Sequence, residues 1–408
     1  MTSTQEDDAS GDEDVLALSG IRVIEFCHMV MGPTAGMILA DLGADVIKIE
    51  PINGDTTRRL VHQGAGFFAT YNRNKRSLAL DLKTPGGLVA AKRLAEGADV
   101  IVENLRPGAL DDLGLGYTDM SADNPGLIYC ALKGFLDGPY AHRKALDEVV
   151  QMMGGLAYMT GPTGRPLRAG ASVTDIMGGM FGVIGIMAAL RDRERTGRGQ
   201  PVSAALYETT VHMVAQHMMQ YAVTGDPSGP MPDRPRAWAV YDTFQTSDGK
   251  SVFIGIVSDT QWRIFCEAFA RQDLMDDPDL ASNAQRFTAR DRIMPLLREL
   301  FGALPKAELM KICDRIGLPF APIARPHDLF EDPHLQESRG LLDITLPDGR
   351  PTKVPALPLM MDGKRTKIRR DLPRIGEHSN EILIEAGYSP EEIQALLSDG
   401  AVVIEEQD

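Results

Sequence analysis

The chain has 408 residues, of which 43% are hydrophobic and 24% are charged, and its formal net charge is −15 at pH 7. This length allows two or more domains, or one large domain that carries a smaller one, and the composition is typical of a globular protein. The acidic balance argues against nucleic acid as the main partner, because phosphate backbones require clustered lysine and arginine, but it permits a small anionic ligand in a locally basic cleft.

The N-terminal segment is polar and acidic. Residues 1–15 contain two acidic runs, at 6–8 and 12–14, which predict a disordered leader. No basic stretch followed by an apolar stretch precedes the first strand, so no signal peptide is expected and the cytoplasm is the expected location. The four cysteines are far apart and form no CxxC pair, so we expect reduced thiols, with neither a zinc site nor disulfides.

The first half of the chain alternates short apolar strands with helical patterns. The predicted strands cover residues 21–26, 46–49, 77–80, 100–102 and 127–132. This βαβ rhythm predicts an α/β fold with a Rossmann-like, mostly parallel sheet and right-handed crossovers. The first strand-to-helix turn lacks GxGxxG, so an ordinary dinucleotide site is not supported.

Two apolar helices are predicted next, at about 175–194 and 202–224. The first starts at Asp175 and contains no other charged residue before Arg191. It is too short and too rich in glycine for a membrane span, so we expect a buried core helix and no membrane association. Asp175 therefore has two interpretations: a plain helix-capping carboxylate, or a carboxylate that a ligand approaches closely because glycines surround it.

The rest of the chain indicates a second, smaller unit. After a large-domain part at 16–225, a proline-rich linker is predicted at 226–238 and a small α+β domain at 239–326, with a hairpin turn at 248–249. Residues 327–408 are expected to return and complete the large domain. They contain a hairpin signal at 347–349 and a last helix capped by Ser389.

Several motifs, in this order and spacing, carry a resemblance to a known family. They are Leu18–Glu25, Gly32-Pro33, Leu42–Glu50, Asn72–Ser77, Val102–Gly108, Asp147–Gly155, Asp175 with its glycines, Thr196–Gln200 and Gly376–His378. Together they resemble the family III CoA-transferases (CaiB/BaiF type, similar to formyl-CoA transferase), over nearly the whole chain from Leu18 to Val403. Each motif alone is weak, and it is their order that makes the match specific.

The resemblance implies a reaction that passes through Asp175. The aspartate attacks the thioester of a donor acyl-CoA and forms an aspartyl–acyl anhydride, then an aspartyl-CoA thioester that an incoming carboxylic acid attacks. A carboxylate suits this task because it can itself become an activated acyl group. The expected substrates are an acyl-CoA and a small acid, with a dicarboxylic acid the first candidate. Coenzyme A is expected as a substrate, and no permanently bound cofactor or metal is expected. Asp147 is expected to position Asp175 and tune it by like-charge repulsion, or else to be a helix-start carboxylate.

The resemblance also implies two sets of binding residues. Those expected to contact CoA are His28, Lys75, Asn104, Leu105, Arg106 and Lys144. Those expected to line the acyl pocket are Val30, Gln151, Tyr158 and Arg168. Simpler interpretations stay open for several of them: a solvated turn for Lys75, an exposed cation for Lys144 and a core aromatic for Tyr158. Val30 stands where the formyl-CoA/oxalate branch has glutamine, which argues against oxalate as the acid. That branch also has a run of glycines before its small domain, and residues 230–238 contain none.

Other functions and the assembly state complete the expectations. Members of the family form interlocked homodimers, and the linker and the late return of the chain are consistent with that. The 2-methylacyl-CoA racemases share the architecture but need a histidine before the aspartate that matches Asp147. That residue is Leu146 here, and His142 is an imperfect substitute. The third possibility is a non-catalytic acyl-CoA-binding protein.

Overall fold

The computed structural model describes residues 16–234 and 237–405. The predicted acidic leader at 1–15 lies outside these residues, as do Pro235 and Arg236 of the predicted linker. The described chain forms two compact units: residues 16–232 together with 334–405 form the first, and residues 233–333 form the second.

A seven-stranded sheet is the frame of the first unit. Its spatial order is β12-β3-β2-β1-β4-β5-β6, and every neighbouring pair is parallel except β12 with β3. The strands are β1 (Arg22–Phe26), β2 (Asp45–Glu50), β3 (Arg76–Leu80), β4 (Val100–Glu103), β5 (Ile128–Lys133), β6 (Pro201–Ala205) and β12 (Val402–Val403). The predicted α/β fold with a Rossmann-like parallel sheet is confirmed.

Helices cover both faces of this sheet. Those of the first unit before the linker are α1 (Met31–Asp41), α2 (Phe67–Tyr71), α3 (Pro85–Glu96), α4 (Tyr117–Asp123), α5 (Asp147–Met153), α6 (Leu156–Thr160), α7 (Val173–Thr196) and α8 (Leu206–Thr224). Short 3-10 helices lie at Thr56–Arg59, His62–Gly64 and Asp111–Leu113. Successive residues of β1 belong to different cores, with Val23 in the core that contains α1 and Ile24 in the core that contains α3. A strand buried on both faces reads as a continuous apolar run, which is how β1 reads.

The C-terminal part of the chain returns to the first unit. It comprises a hairpin of β10 (Leu341–Thr345) and β11 (Pro351–Pro355), then α15 (Ser379–Glu385), α16 (Pro390–Ser398) and the edge strand β12. The Gly376–His378 motif docks this segment on β3: the Gly376 N–H donates to the Ser77 hydroxyl, and the His378 N–H donates to the Ser77 carbonyl. The predicted turn at 347–349 and the Ser389 capping box are both present.

The second unit is an antiparallel three-stranded sheet with helices. Its strands are β7 (Val240–Gln245), β8 (Ser251–Ile256) and β9 (Phe320–Pro322). Its helices are α9 (Asp259–Ala268), α10 (Gln272–Met275), α11 (Asn283–Thr288), α12 (Arg290–Gly302) and α13 (Lys306–Arg315), with 3-10 turns at Pro278–Leu280 and Pro326–Glu331; α14 (Pro333–Glu337) follows at its end. The predicted hairpin at 248–249 joins β7 to β8.

Two predictions about the long apolar segments need correction. Residues 202–205 belong to β6, and the helix begins only at Leu206, because these residues pair with β5 at the edge of the sheet. Helix α7 is buried on one face only. Among the described residues, α7 is the helix that is long and apolar enough to cross a membrane, but core helices share this property. Helix α7 packs against α1, β5 and β6.

Candidate active site

A cavity of about 500 Å³ opens at the carboxyl ends of the parallel strands. It is lined by residues that follow or end the first four strands: Phe26, Cys27, His28, Ile49, Glu50, Pro51, Ile52, Asn53, Asp55, Thr56, Leu80, Asp81, Leu82, Lys83 and Leu105. In open parallel sheets the chain leaves neighbouring strands in opposite directions at one point, and ligands bind in the crevice that results. Here that point lies between β1 and β4, whose following loops supply His28 and Leu105.

Asn104 ties these two loops together. The His28 N–H donates to the Asn104 side-chain oxygen at 3.0 Å, and the Asn104 amide donates back to the His28 carbonyl at 2.8 Å. The predicted CoA residues His28, Asn104 and Leu105 are therefore adjacent in space. Asn104 uses its amide within the protein, while the His28 side chain and Leu105 face the cavity. Partial burial lowers the pKa of His28, so the neutral imidazole is favoured.

Lys75 lies in the interior, which differs from the predicted contact with CoA. Its side chain has no exposed surface, and its ammonium reaches Glu25 at 2.7 Å and also donates to Asn72 and to the Pro33 carbonyl. A Cβ at Gly36 would lie 1.7 Å from a Glu25 carboxylate oxygen, so glycine makes room for the ion pair. All of these partners of the Lys75 ammonium lie inside the protein. This lysine therefore stabilises the interior of the first unit and does not bind a ligand phosphate.

Three other cations of the first unit are exposed. Arg106 follows Leu105 and is 72% exposed, with one ion pair to Asp112. Lys83, which the sequence did not single out, lies on the cavity wall and is exposed. Lys144 is exposed in the loop before α5, and no ion pair to it was found among the described residues. Arg106, Lys83 and Lys144 can thus meet an anionic ligand without breaking a buried interaction.

Asp175 lies in the first turn of α7 and is half-buried. Gly178 and Gly179, three and four residues later, share its helix face. A Cβ at Gly179 would lie 2.5 Å from the Met31 carbonyl oxygen, and one at Gly178 would lie 2.6 Å from the Met31 side chain. The glycines therefore let α7 approach the start of α1, and Asp175 faces the loop that leads from the cavity into α1.

Asp147 caps the helix that carries Asp175. Its carboxylate accepts from the Thr174 N–H at 3.0 Å, from the Thr174 hydroxyl at 2.5 Å and from the Asp175 N–H at 3.3 Å. Ser172, the residue at the helix start, makes no capping hydrogen bond through its side chain. Since the first backbone N–H groups of a helix need an acceptor, Asp147 supplies it from α5. Asp147 is also the first residue of α5, so it is a helix-start carboxylate as well as a group that holds the start of α7.

Burial and Asp147 together raise the pKa of Asp175 to about 7, from an ordinary value of 3.8, and the nearby Arg168 guanidinium opposes the rise. Burial is the larger cause because it disfavours the charged form. No hydrogen bond to the Asp175 carboxylate was found among the described residues. A carboxylate with a pKa near neutrality and an unoccupied oxygen is a better nucleophile than an ordinary, solvated one.

The predicted pocket residues are divided by the structure. Gln151 is buried, donates to Asp147 at 2.6 Å and accepts from the Ala169 N–H at 2.9 Å. Arg168 pairs with Glu148 at 2.7 Å and lies 3.7 Å from Asp147. These two residues therefore surround Asp147 rather than line open space.

The other two predicted pocket residues lie apart from this cluster. Tyr158 is 51% exposed on α6, so it is not a core aromatic in this chain, and Val30 is buried at the start of α1.

Three contributors were missed in the sequence. Tyr71 ends α2, and its pKa is raised by burial and by the Asp175 charge, which places the phenol within the field of that carboxylate. Thr174 stands beside the aspartate, but its buried hydroxyl bond to Asp147 joins residues 27 positions apart. Met29 adopts a left-handed backbone conformation in the loop after β1. None of the three belongs to a motif. The only signal in the sequence was adjacency, since Thr174 is next to Asp175 and Met29 is next to His28.

A crevice at the switch point of a parallel sheet and a half-buried carboxylate of raised pKa are features typical of α/β enzymes. The pattern that defines CoA-transferase family III matches residues 18–379, and the chain belongs to this family. The resemblance drawn from the sequence motifs is thereby confirmed, and the protein is a transferase that uses CoA thioesters.

Named relatives agree with this assignment over almost the full chain. A succinate–glutarate CoA-transferase of Agrobacterium fabrum is 35% identical over 384 residues, which cover 90% of this chain and 95% of that protein. A succinyl-CoA:glutarate CoA-transferase of Mus musculus is 32% identical over 393 residues, covering 94% and 90%. The crystal structure of a CaiB/BaiF family protein from Brucella suis is similar with a TM-score of 0.82 at 34% identity, covering 91% of this chain and 99% of that one.

Proposed function

We propose that the protein moves CoA from an acyl-CoA donor, with succinyl-CoA the first candidate, to a free dicarboxylic acid through covalent intermediates on Asp175. The observation that carries the proposal is the Asp175 carboxylate itself: half-buried, raised in pKa to about 7, and facing the loop beside the cavity. Two relatives whose names include glutarate support a dicarboxylic acceptor.

The chemistry begins with attack on the donor. An Asp175 carboxylate oxygen adds to the thioester carbonyl, the carbon–sulfur bond breaks, and the CoA thiolate leaves an aspartyl–acyl anhydride. The thiolate then attacks the Asp175 carbonyl carbon of the anhydride and releases the donor acid as its carboxylate. Asp175 now holds CoA as a thioester. Together these two steps replace the donor thioester by an enzyme thioester of similar energy, and covalent catalysis divides one difficult exchange into easier steps.

The second half repeats these steps in reverse with the new acid. The acceptor carboxylate attacks the Asp175 thioester carbonyl, the thiolate leaves, and a second anhydride forms. Attack of the thiolate on the acceptor side of that anhydride gives the product acyl-CoA and restores the Asp175 carboxylate. Asp147 keeps the helix start in place throughout, because it binds the Thr174 and Asp175 N–H groups.

The cavity at the strand ends suits the nucleotide end of CoA. Phe26, Ile49 and Leu105 on its wall are available to a flat ring. Lys83 on the same wall, and Arg106, which follows Leu105 in the chain, are available to phosphate groups. Binding there directs the rest of the ligand along the loop that leads to α1. In this proposal the reactive sulfur reaches the Asp175 side of the sheet edge.

A trapping experiment tests the nucleophile. Wild-type protein is incubated with succinyl-CoA and hydroxylamine, and residue 175 is examined by peptide mass spectrometry for the aspartyl hydroxamate. Asp175→Asn keeps the shape of the side chain and should lose transfer to glutarate by at least about 10³-fold, since the nucleophile is gone. Asp137→Asn, at a carboxylate that is 98% exposed, is the matched control and should keep full activity. Undiminished turnover by Asp175→Asn would falsify the mechanism.

We also propose that the protein forms the homodimer implied by the family. Helix α7 has an exposed apolar stripe opposite its buried glycines, formed by Met180, Ile184 and Met187. These positions are four and three residues apart, so they lie on one side of the helix. An apolar stripe of this kind is well suited to contact with a second copy of the chain.

A further inference from the structure

The loop between β1 and α1 contains a backbone conformation that its sequence does not favour. Met29 has φ of +64°, in the left-handed region where glycine is at ease and other residues are not. Residues held in this region tend to occur where the surrounding structure requires a particular shape, and often at functional sites. The loop comprises His28, Met29 and Val30, and it leads directly into the first residue of α1.

Separate parts of the first unit hold this loop. The Met29 N–H donates to the Thr57 hydroxyl at 3.0 Å, and Asn104 exchanges two hydrogen bonds with the backbone of His28. Thr57 is itself fixed, because its N–H donates to Asp55 at 2.8 Å. Asp55 in turn pairs with the buried Lys48 at 2.9 Å. The left-handed turn is thus imposed by a chain of contacts that starts in the core.

The same loop joins the two parts of the proposed site. At one end His28 lines the cavity at the strand ends. At the other end Met31 is in close contact with Gly178 and Gly179, which share a helix face with Asp175. Met29 therefore lies on the short stretch of chain between the cavity wall and the helix contact beside Asp175.

We propose that Met29 in its left-handed conformation, held by Asn104 and Thr57, is the positioning element that aligns a CoA thioester bound in the cavity with the Asp175 carboxylate. The loop acts through geometry and does not touch the reacting atoms. A misplacement of about 1 Å between reacting groups can reduce a rate by about 10²-fold, so a small change in this turn has a large effect. The proposal rests on Asp175 as the nucleophile, and the hydroxylamine experiment on the wild type tests that part separately.

A pair of substitutions at Met29 separates conformation from side-chain chemistry. Glycine adopts positive φ readily, whereas valine is β-branched and strongly disfavours it, although valine is closer to methionine in size and polarity. With succinyl-CoA and glutarate as probes, kcat of Met29→Val should fall at least about tenfold, and it should fall at least about tenfold below that of Met29→Gly. The KM for succinyl-CoA should change by less than about threefold in both, because the cavity wall is kept.

The matched control lies in the second unit. Ala270 is exposed and has φ of +52°, so Ala270→Val introduces the same backbone conflict far from the loop in sequence. It should lower the thermal unfolding temperature about as much as Met29→Val while leaving kcat unchanged. Equal losses of kcat in the two valine variants would mean that strain alone reduces the amount of active protein, and the proposal would be wrong.

Asn104 provides the second arm, which decides the matter if Met29→Val does not fold. Asn104→Ala removes both hydrogen bonds to His28 and should lower kcat at least about tenfold, whereas Asn104→Asp keeps the acceptor for the His28 N–H and should lose less. A rise in the KM for succinyl-CoA with kcat intact would make the loop a binding wall only and overturn the proposal. Hydroxamate formation at Asp175 in the wild type, with kcat unaffected in the loop variants, would refute the alignment role and leave the proposed function standing.

Discussion

Replacing Asp147 by asparagine tests whether this residue tunes the nucleophile as well as positioning it. An asparagine side-chain oxygen can still accept from the Thr174 and Asp175 N–H groups, so the start of α7 keeps an acceptor. What is lost is one negative charge beside Asp175, together with the oxygen that accepts from the Gln151 amide. That charge is the second cause of the raised pKa, after burial, and Arg168 acts in the opposite direction.

The size of the effect follows from the order of these causes. The pKa of Asp175 stands at about 7 against an ordinary 3.8, and the larger part of the rise is due to burial. Removing the Asp147 charge should therefore lower the pKa of Asp175 by about one unit, or ~1.4 kcal/mol. At pH 5 the ionised fraction of the nucleophile would then rise from about 1% to about 10%.

The assay is the pH dependence of kcat/KM for succinyl-CoA at saturating glutarate. In the wild type, activity should rise with pH through about 7, because only the ionised Asp175 attacks. In Asp147→Asn the midpoint of this rise should move to lower pH by about one unit. Relative to its own plateau, the variant should be about tenfold more active at pH 5 than the wild type is relative to its plateau.

Glu148→Gln is the control because it removes a negative charge from the next residue. Glu148 is 58% exposed and pairs with Arg168, so its loss should leave the midpoint of the wild-type profile nearly in place. An unchanged midpoint in Asp147→Asn would show that the charge of Asp147 does not act on the nucleophile. A midpoint that moves to higher pH would contradict the sign of the argument.

Two further results follow from the structure. Lys75→Met leaves Glu25 buried with Lys48 as its remaining ion-pair partner, and it should lower the free energy of unfolding in urea by about 3–5 kcal/mol. Lys144→Met, at an exposed cation, should change that free energy by less than about 0.5 kcal/mol. Equal losses in the two variants would contradict the interior placement of Lys75. Ile184→Glu introduces a charge into the exposed apolar stripe of α7, so the mass measured by sedimentation at micromolar concentration should change from that of a dimer to that of a monomer. A monomeric wild-type protein would refute the proposed dimer.

Strand positions were predictable to within a residue or two, because strands buried on both faces read as continuous apolar runs. The segment 202–205 was assigned to a helix because apolar residues continue through it into α8. Only its pairing with β5 distinguishes strand from helix there. Short apolar runs carry no periodicity that separates the two.

The site was predictable at Asp175 and less so around it. Asp175 can be recognised from the sequence because it is a charged residue beside an apolar, glycine-rich run. Lys75 could not be placed from sequence, since its burial depends on Glu25 fifty residues earlier and on the space left by Gly36. Tyr71 was invisible for the same reason: its proximity to Asp175 comes from helices that are far apart in the chain.

The edge strand β12 has a consequence for how the protein is made. Val402 and Val403 pair with Leu80 and Ala79, so the first unit receives its edge strand from residues that are synthesised long after β3. The intervening residues 233–333 contain all three strands of their own sheet and can fold while synthesis continues. Completion of this sheet must wait until residues 402–403 have left the ribosome, and contacts of such long sequence separation form slowly. During that interval β3 presents an unpaired edge, a surface that chaperones would be expected to shield from aggregation.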